Sequence, residues 1–162
     1  MPPPPFTPRQ QAEADLTMAL LLVARIYRRM VDRRLADHAI SEARAVPILY
    51  IARAARGGAQ EAMRQGELAE MIGIEGPSLV RLLDQLGSAG LIERHPDPSD
   101  RRAKTMHITE AGQALAHEVE VVLREMRGGL LGEVSDEDLA ATLRTLGTLN
   151  AALRTTIRPP ED

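Results

Sequence analysis

Apolar residues recur at Leu16, Leu20, Val23, Tyr27, Met30, Val31 and Leu35, the three-to-four spacing of one helix face. Thr7-Pro8-Arg9-Gln10 precedes that stripe with the form of a capping box and a proline at the first helical position. The pattern predicts a helix of about 25 residues or more, against an average of ~11–12. Ser41 can cap a second helix containing Val46, Ile48, Leu49 and Ile51, and Gly57-Gly58 ends it. Pro47 lies too deep in that helix for a free N–H, which predicts a kink or loosening at a cost near ~3 kcal/mol. Further on, Thr109 can cap a long helix through Leu115, Val119, Val122, Leu123 and Met126, with Gly128-Gly129 and Gly132 expected to break it. Ser135 and the acids Asp136, Glu137 and Asp138 restart a helix whose first turn suits negative charge. Leu139, Leu143, Leu146, Leu149 and Leu153 form its stripe. Long apolar stripes at both ends of a small domain stay exposed unless they pack on each other and on a second copy. The pattern therefore predicts a homodimer.

Between these helices the periodicity shortens. Gly66 to Met71 reads as a short helix, followed by a turn at Gly73-Ile74-Glu75-Gly76. A second helix starts with Pro77, where the missing N–H costs nothing. Its core side is Leu79, Leu82, Leu83 and Leu86, which leaves Pro77, Ser78, Arg81, Asp84, Gln85 and Ser88 on the opposite side. Two short helices joined by a glycine turn form a helix-turn-helix, whose second helix can enter a DNA major groove. Ser78 and Gln85 offer hydrogen bonds there, and Arg81 suits guanine O6 and N7. An amphipathic helix with a merely wet polar face would carry the same pattern.

The next segment separates these alternatives. Leu91 to His95 reads as a strand, and Pro96 to Ala103 is a polar loop. Lys104 to Thr109 alternates Met106 and Ile108 inward with Thr105, His107 and Thr109 outward. A hairpin tipped by Arg101-Arg102 directly after a recognition helix is a wing, and a narrow minor groove attracts an inserted Arg. Asp100 fits as the carboxylate that orients one guanidinium through a bidentate pair.

Composition refines this picture. The 162 residues carry 44% hydrophobic and 27% charged residues, a globular balance. Net charge is −3, and Lys104 is the only Lys among twenty cations. Residues 76 to 109 hold five cations against four acids, and residues 110 to 162 hold ten acids against five Arg. Charge placement, felt over roughly 8 Å at physiological salt, matters more to phosphate than the sum. The absence of Cys excludes disulfides, thiolate metal sites and thiol-based oxidant sensing, and suits a reducing cytosol. His38, His95, His107 and His117 have no metal-ligand spacing, and no motif for nucleotide, zinc-protease or serine-hydrolase chemistry occurs. No enzyme activity, metal or cofactor is expected. With no signal peptide or membrane-length apolar run, a cytoplasmic location is expected.

The motifs of residues 66 to 112 resemble, in combination, the MarR family of bacterial transcriptional regulators, and its SlyA-like branch in particular. They are Leu68-Ala69, Ile72-Gly73-Ile74-Glu75-Gly76-Pro77-Ser78-Leu79-Val80-Arg81, Leu83-Asp84-Gln85-Leu86, Gly90-Leu91-Ile92, and Ser99-Asp100-Arg101-Arg102-Ala103-Lys104 running into Ile108-Thr109. The resemblance implies a mainly α protein with a small β-wing, its winged helix-turn-helix flanked by dimerisation helices. The expected division is a flexible proline-rich terminus over 1–10, a DNA-binding domain over 41–109, and a dimerisation region over 11–40 and 110–156. It also implies Pro77, Ser78 and Arg81 at the major groove, Arg101 and Arg102 at the minor groove held by Asp100, and an inverted-repeat operator. Many members release DNA on binding a small aromatic acid. Arg25, Arg28 and Arg44 are the cations nearest the usual ligand cavity, although each also fits as a surface or interface ion-pair partner. The aromatic residue often found early in the second helix is replaced by Ala45. Tyr27 and Tyr50 fit as core residues. A winged helix that docks a protein partner without specific DNA binding is the alternative reading.

Overall fold

The computed structural model describes residues 5–38, 40–56, 63–74, 76–100 and 103–157. Among the described residues nine elements follow one another: α1 (Pro8–Ala36), α2 (Glu42–Arg56), β1 (Met63–Arg64), α3 (Gln65–Ile72), α4 (Gly76–Ser88), β2 (Ile92–Pro96), β3 (Lys104–Ile108), α5 (Glu110–Leu131) and α6 (Asp136–Ile157). The fold is mainly helical with a three-stranded antiparallel sheet in the order β1-β3-β2. Two compact units divide it, residues 1–123 and 124–162.

Local chemistry starts the helices where the sequence places them. Thr7 Oγ1 accepts from Gln10 N at 3.3 Å and Gln10 Oε1 accepts from Thr7 N at 2.9 Å, a complete capping box ahead of Pro8. Ser135 Oγ accepts from Asp138 N at 3.1 Å to open α6. Thr109 Oγ1 accepts from Gly112 N at 3.0 Å and itself donates to the Gly90 carbonyl at 2.7 Å. That residue therefore caps α5 and ties it to the end of α4 at once.

Pro47 lies inside α2, which runs as one helix from Glu42 to Arg56. Its ring is fully buried, and the carbonyl it leaves unpaired belongs to exposed Ala43, within reach of water. Helix α5 continues through Gly128-Gly129 and ends before Gly132, since glycine weakens a helix by about 1 kcal/mol without blocking its hydrogen bonds. Thr105 is buried rather than outward, because the two-residue strand β1 pairs Arg64 with it on the far side of β3. Strand β1 is too short to leave a periodic signal. Gly57-Gly58, expected to end α2, lies outside the described residues.

The core of the first unit gathers Ile48 and Ile51 of α2, Leu68 of α3, Leu79, Leu83 and Leu86 of α4, and Ile92 and Met106 of the sheet. Tyr50 packs against this cluster half-buried, as a core residue, and Tyr27 is also half-buried. Each fully buried Leu contributes about 1.5–3 kcal/mol of transfer free energy. Burying one side of α4 on four leucines thus fixes which side remains in water.

Candidate nucleic-acid interface

Helix α3 ends at Gly73, whose φ of +66° supplies the left-handed turn into α4. Leu79, Leu82, Leu83 and Leu86 are buried, and Pro77, Ser78, Arg81, Asp84, Gln85 and Ser88 are all exposed. The polar side predicted from spacing is thus the solvent side. Asp84 is not free to meet a base, because Arg94 of β2 pairs with it and links α4 to the wing. On the described residues α4 therefore presents one guanidinium, one amide and small hydroxyls.

Strands β2 and β3 form the wing hairpin with Ile92 opposite Ile108 and Pro96 opposite Lys104. The loop between them is closed by Asp97 N donating to the Ala103 carbonyl at 3.1 Å and Ala103 N donating to the Asp100 carbonyl at 2.9 Å. Its anchor is the buried carboxylate of Asp97. Asp97 Oδ1 accepts from Ser99 N and Ser99 Oγ, both at 2.7 Å, and from Asp100 N at 3.2 Å. Asp97 Oδ2 accepts from Arg64 Nε at 2.6 Å, and Arg64 Nη2 donates to Ser99 Oγ at 2.8 Å. Strand β1 thus pins the base of the wing loop by backbone pairing and by a charged side chain together.

The sequence pattern singles out Asp100 as an orienting carboxylate and does not by itself point to this second anchor at Asp97. A signal existed: Asp97-Pro98-Ser99 has the form of an Asx-turn, in which a carboxylate accepts from the backbone two residues on. Its partner Arg64 lies 33 residues away and leaves no local pattern. Arg101 and Arg102 lie outside the described residues. Asp100 is exposed at their margin.

The Ser99 hydroxyl and backbone N–H hold the Asp97 carboxyl well below the usual carboxylate range, with Arg64 adding to them and burial opposing. A depressed folded pKa contributes stability above the unfolded value of about 3.9, lost as pH falls through the folded value. Asp97→Asn should therefore be less stable than the parent by a constant margin above about pH 5. That margin should shrink toward about pH 2. Urea unfolding across this range checks it, and a margin independent of pH would contradict the anchor.

Arg25 and Arg28 are exposed on α1. Arg44, in the first turn of α2, instead lines a groove of about 630 Å³ along the outer side of α4, with Pro77, Arg81 and Gln85. Among the described residues no cluster of three or more His, Asp or Glu could hold a metal ion, and no helix is long and apolar enough to cross a membrane.

A helix-turn-helix followed by a β-wing, with an apolar core behind the second helix, defines a winged-helix protein. The MarR family profile matches residues 58–104. The chain is 31% identical to a solved structure described as the transcriptional regulator PA3341, over 86% of this chain and 98% of that one, with a TM-score of 0.73. It is similar in fold to S. aureus MepR in a complex with DNA, at 20% identity over 85% and 95% of the two chains and a TM-score of 0.68. The transcriptional regulator SlyA is similar in fold at 15% identity, over 86% and 94%, with a TM-score of 0.69. The chain belongs to the MarR family, and its fold is that of MarR-family transcriptional regulators.

Proposed function

We propose that this protein is a cytoplasmic, homodimeric repressor that binds a specific double-stranded DNA operator, and that it is not an enzyme. The observation that carries this reading is the side of α4 that faces water. Pro77, Ser78, Arg81 and Gln85 stand there, exposed, opposite four buried leucines. That arrangement suits a helix laid in the major groove, with Arg81 reading guanine and Gln85 and Ser78 supplying further hydrogen bonds. The capture of MepR in a complex with DNA supports the same use of the fold here. Arg101 and Arg102 carry the minor-groove contact, with Asp100 orienting one of them and the Asp97–Arg64 anchor holding the loop.

The DNA-binding domain spans 41–109, with pairing assigned to 11–40 and 110–156. Leu16, Leu21, Leu22, Val23 and Ile26 of α1 are exposed, as are Leu139, Leu143, Leu146 and Leu153 of α6. Apolar stripes of that length support burial against a second copy. A small aromatic or carboxylate effector relieves repression, with the α1 guanidiniums of Arg25 and Arg28 offered to its anionic group. Two-fold pairing requires an inverted-repeat operator. Footprinting on the DNA flanking its own gene should protect two half-sites centred about one turn, roughly 10–10.5 bp, apart. Protection of one asymmetric half-site would contradict the dimeric reading.

A further inference from the structure

Arg44 stands in the first turn of α2, outside the helix-turn-helix, yet it shares a groove with Pro77, Arg81 and Gln85 on the outer side of α4. Among the described residues Asp84 is the acid that lines this groove, and Arg94 pairs with it from the wing strand. Arg44 and Arg81 make no ion pair among the described residues, and both are exposed. Among the described residues the groove is therefore bordered by two guanidiniums without an acidic partner, and its acid is paired with Arg94. Such a cationic strip beside a recognition helix is complementary to the phosphates that edge the major groove.

We propose that Arg44 is a DNA-backbone contact, binding a phosphate at the edge of the groove that α4 reads. This rests on α4 being the recognition helix. The assignment moves Arg44 from the effector site suggested by the sequence to the operator face. It also gives the two Arg of the groove different duties, Arg81 for bases and Arg44 for register.

A phosphate contact carries no sequence information, and removing one reduces the salt slope of binding by about 1. Arg44→Ala should thus weaken binding to the preferred duplex and to a shuffled duplex by the same factor, with a shallower slope for both. Arg44→Lys should restore most of the affinity, because a phosphate accepts a point charge where a bidentate site does not. Fluorescence anisotropy over a salt series, with wild-type protein in parallel, measures these quantities, and an unchanged thermal melt establishes intact folding. An Arg44→Ala protein with wild-type affinity and slope, or one weakened on the preferred duplex alone, would overturn the proposal. Wild-type protein that binds neither duplex would instead overturn the reading of α4, and this proposal with it.

Discussion

Gly112→Ala is expected to destabilise the protein by about 3 kcal/mol, the upper end of what overpacking a core costs, which lowers the melting temperature by roughly 6–12 °C. The reason is a close approach between backbones. A Cβ at Gly112 would stand 2.1 Å from the Leu91 carbonyl oxygen and 2.8 Å from Ile108 Cγ1. No rotamer change relieves the first contact, because the obstructing atom belongs to the main chain. The same carbonyl accepts from Thr109 N at 3.2 Å, and Gly112 N donates to Thr109 Oγ1 at 3.0 Å. The first turn of α5, the end of α4 and the start of β2 therefore meet at this point. Displacing α5 by the required distance would disturb the capping of Thr109 and the base of the wing together. Gly87→Ala is the control: its Cβ would meet only the Ile92 carbonyl, at 4.0 Å, so the gain in helix propensity should leave stability unchanged or raised by up to about 1 kcal/mol. Equal melts for the two variants would contradict the packing described for α5.

Arg81→Ala carries the largest expected effect on binding. Its guanidinium is exposed in the middle of the outer side of α4, one helical turn from Pro77 and one from Gln85, and no acid among the described residues holds it. A bidentate pair to guanine discriminates against the wrong base by about 1–3 kcal/mol. Arg81→Ala should therefore lose roughly 5- to 150-fold in affinity per half-site of the preferred duplex and relax base preference at one position in each. Binding to shuffled DNA should fall much less. Competition between a duplex library and the two proteins measures this directly. An equal loss on every sequence would reduce Arg81 to a phosphate contact, the duty assigned to Arg44.

The outer side of α4 was legible from the sequence because a 100° step per residue sorts Leu79, Leu82, Leu83 and Leu86 from Pro77, Ser78, Arg81 and Gln85 without any knowledge of the tertiary fold. The caps at Thr7, Thr109 and Ser135 were legible for a similar reason, since each bonds within three residues of itself. What escaped depends on partners distant in sequence. The Arg64–Asp97 pair spans 33 residues, and β1, which brings Arg64 there, is only two residues long. Arg44 joined the groove of α4 for the same kind of reason: its place is set by the packing of α2 against the core, not by its own neighbours. Gly128-Gly129 misled because glycine costs a helix only about 1 kcal/mol, which a long helix can offset.

The central claim is that the winged face recognises a DNA sequence, and one titration tests it most directly. Wild-type protein is titrated against a labelled duplex from the DNA flanking its own gene and against a shuffled duplex of equal length, over a range of salt concentrations. The account predicts a preference of about 10³ or more for the first duplex, with affinity for both falling steeply as salt rises. Weak binding that is equal for the two duplexes would contradict the account and favour a winged helix that docks a protein partner.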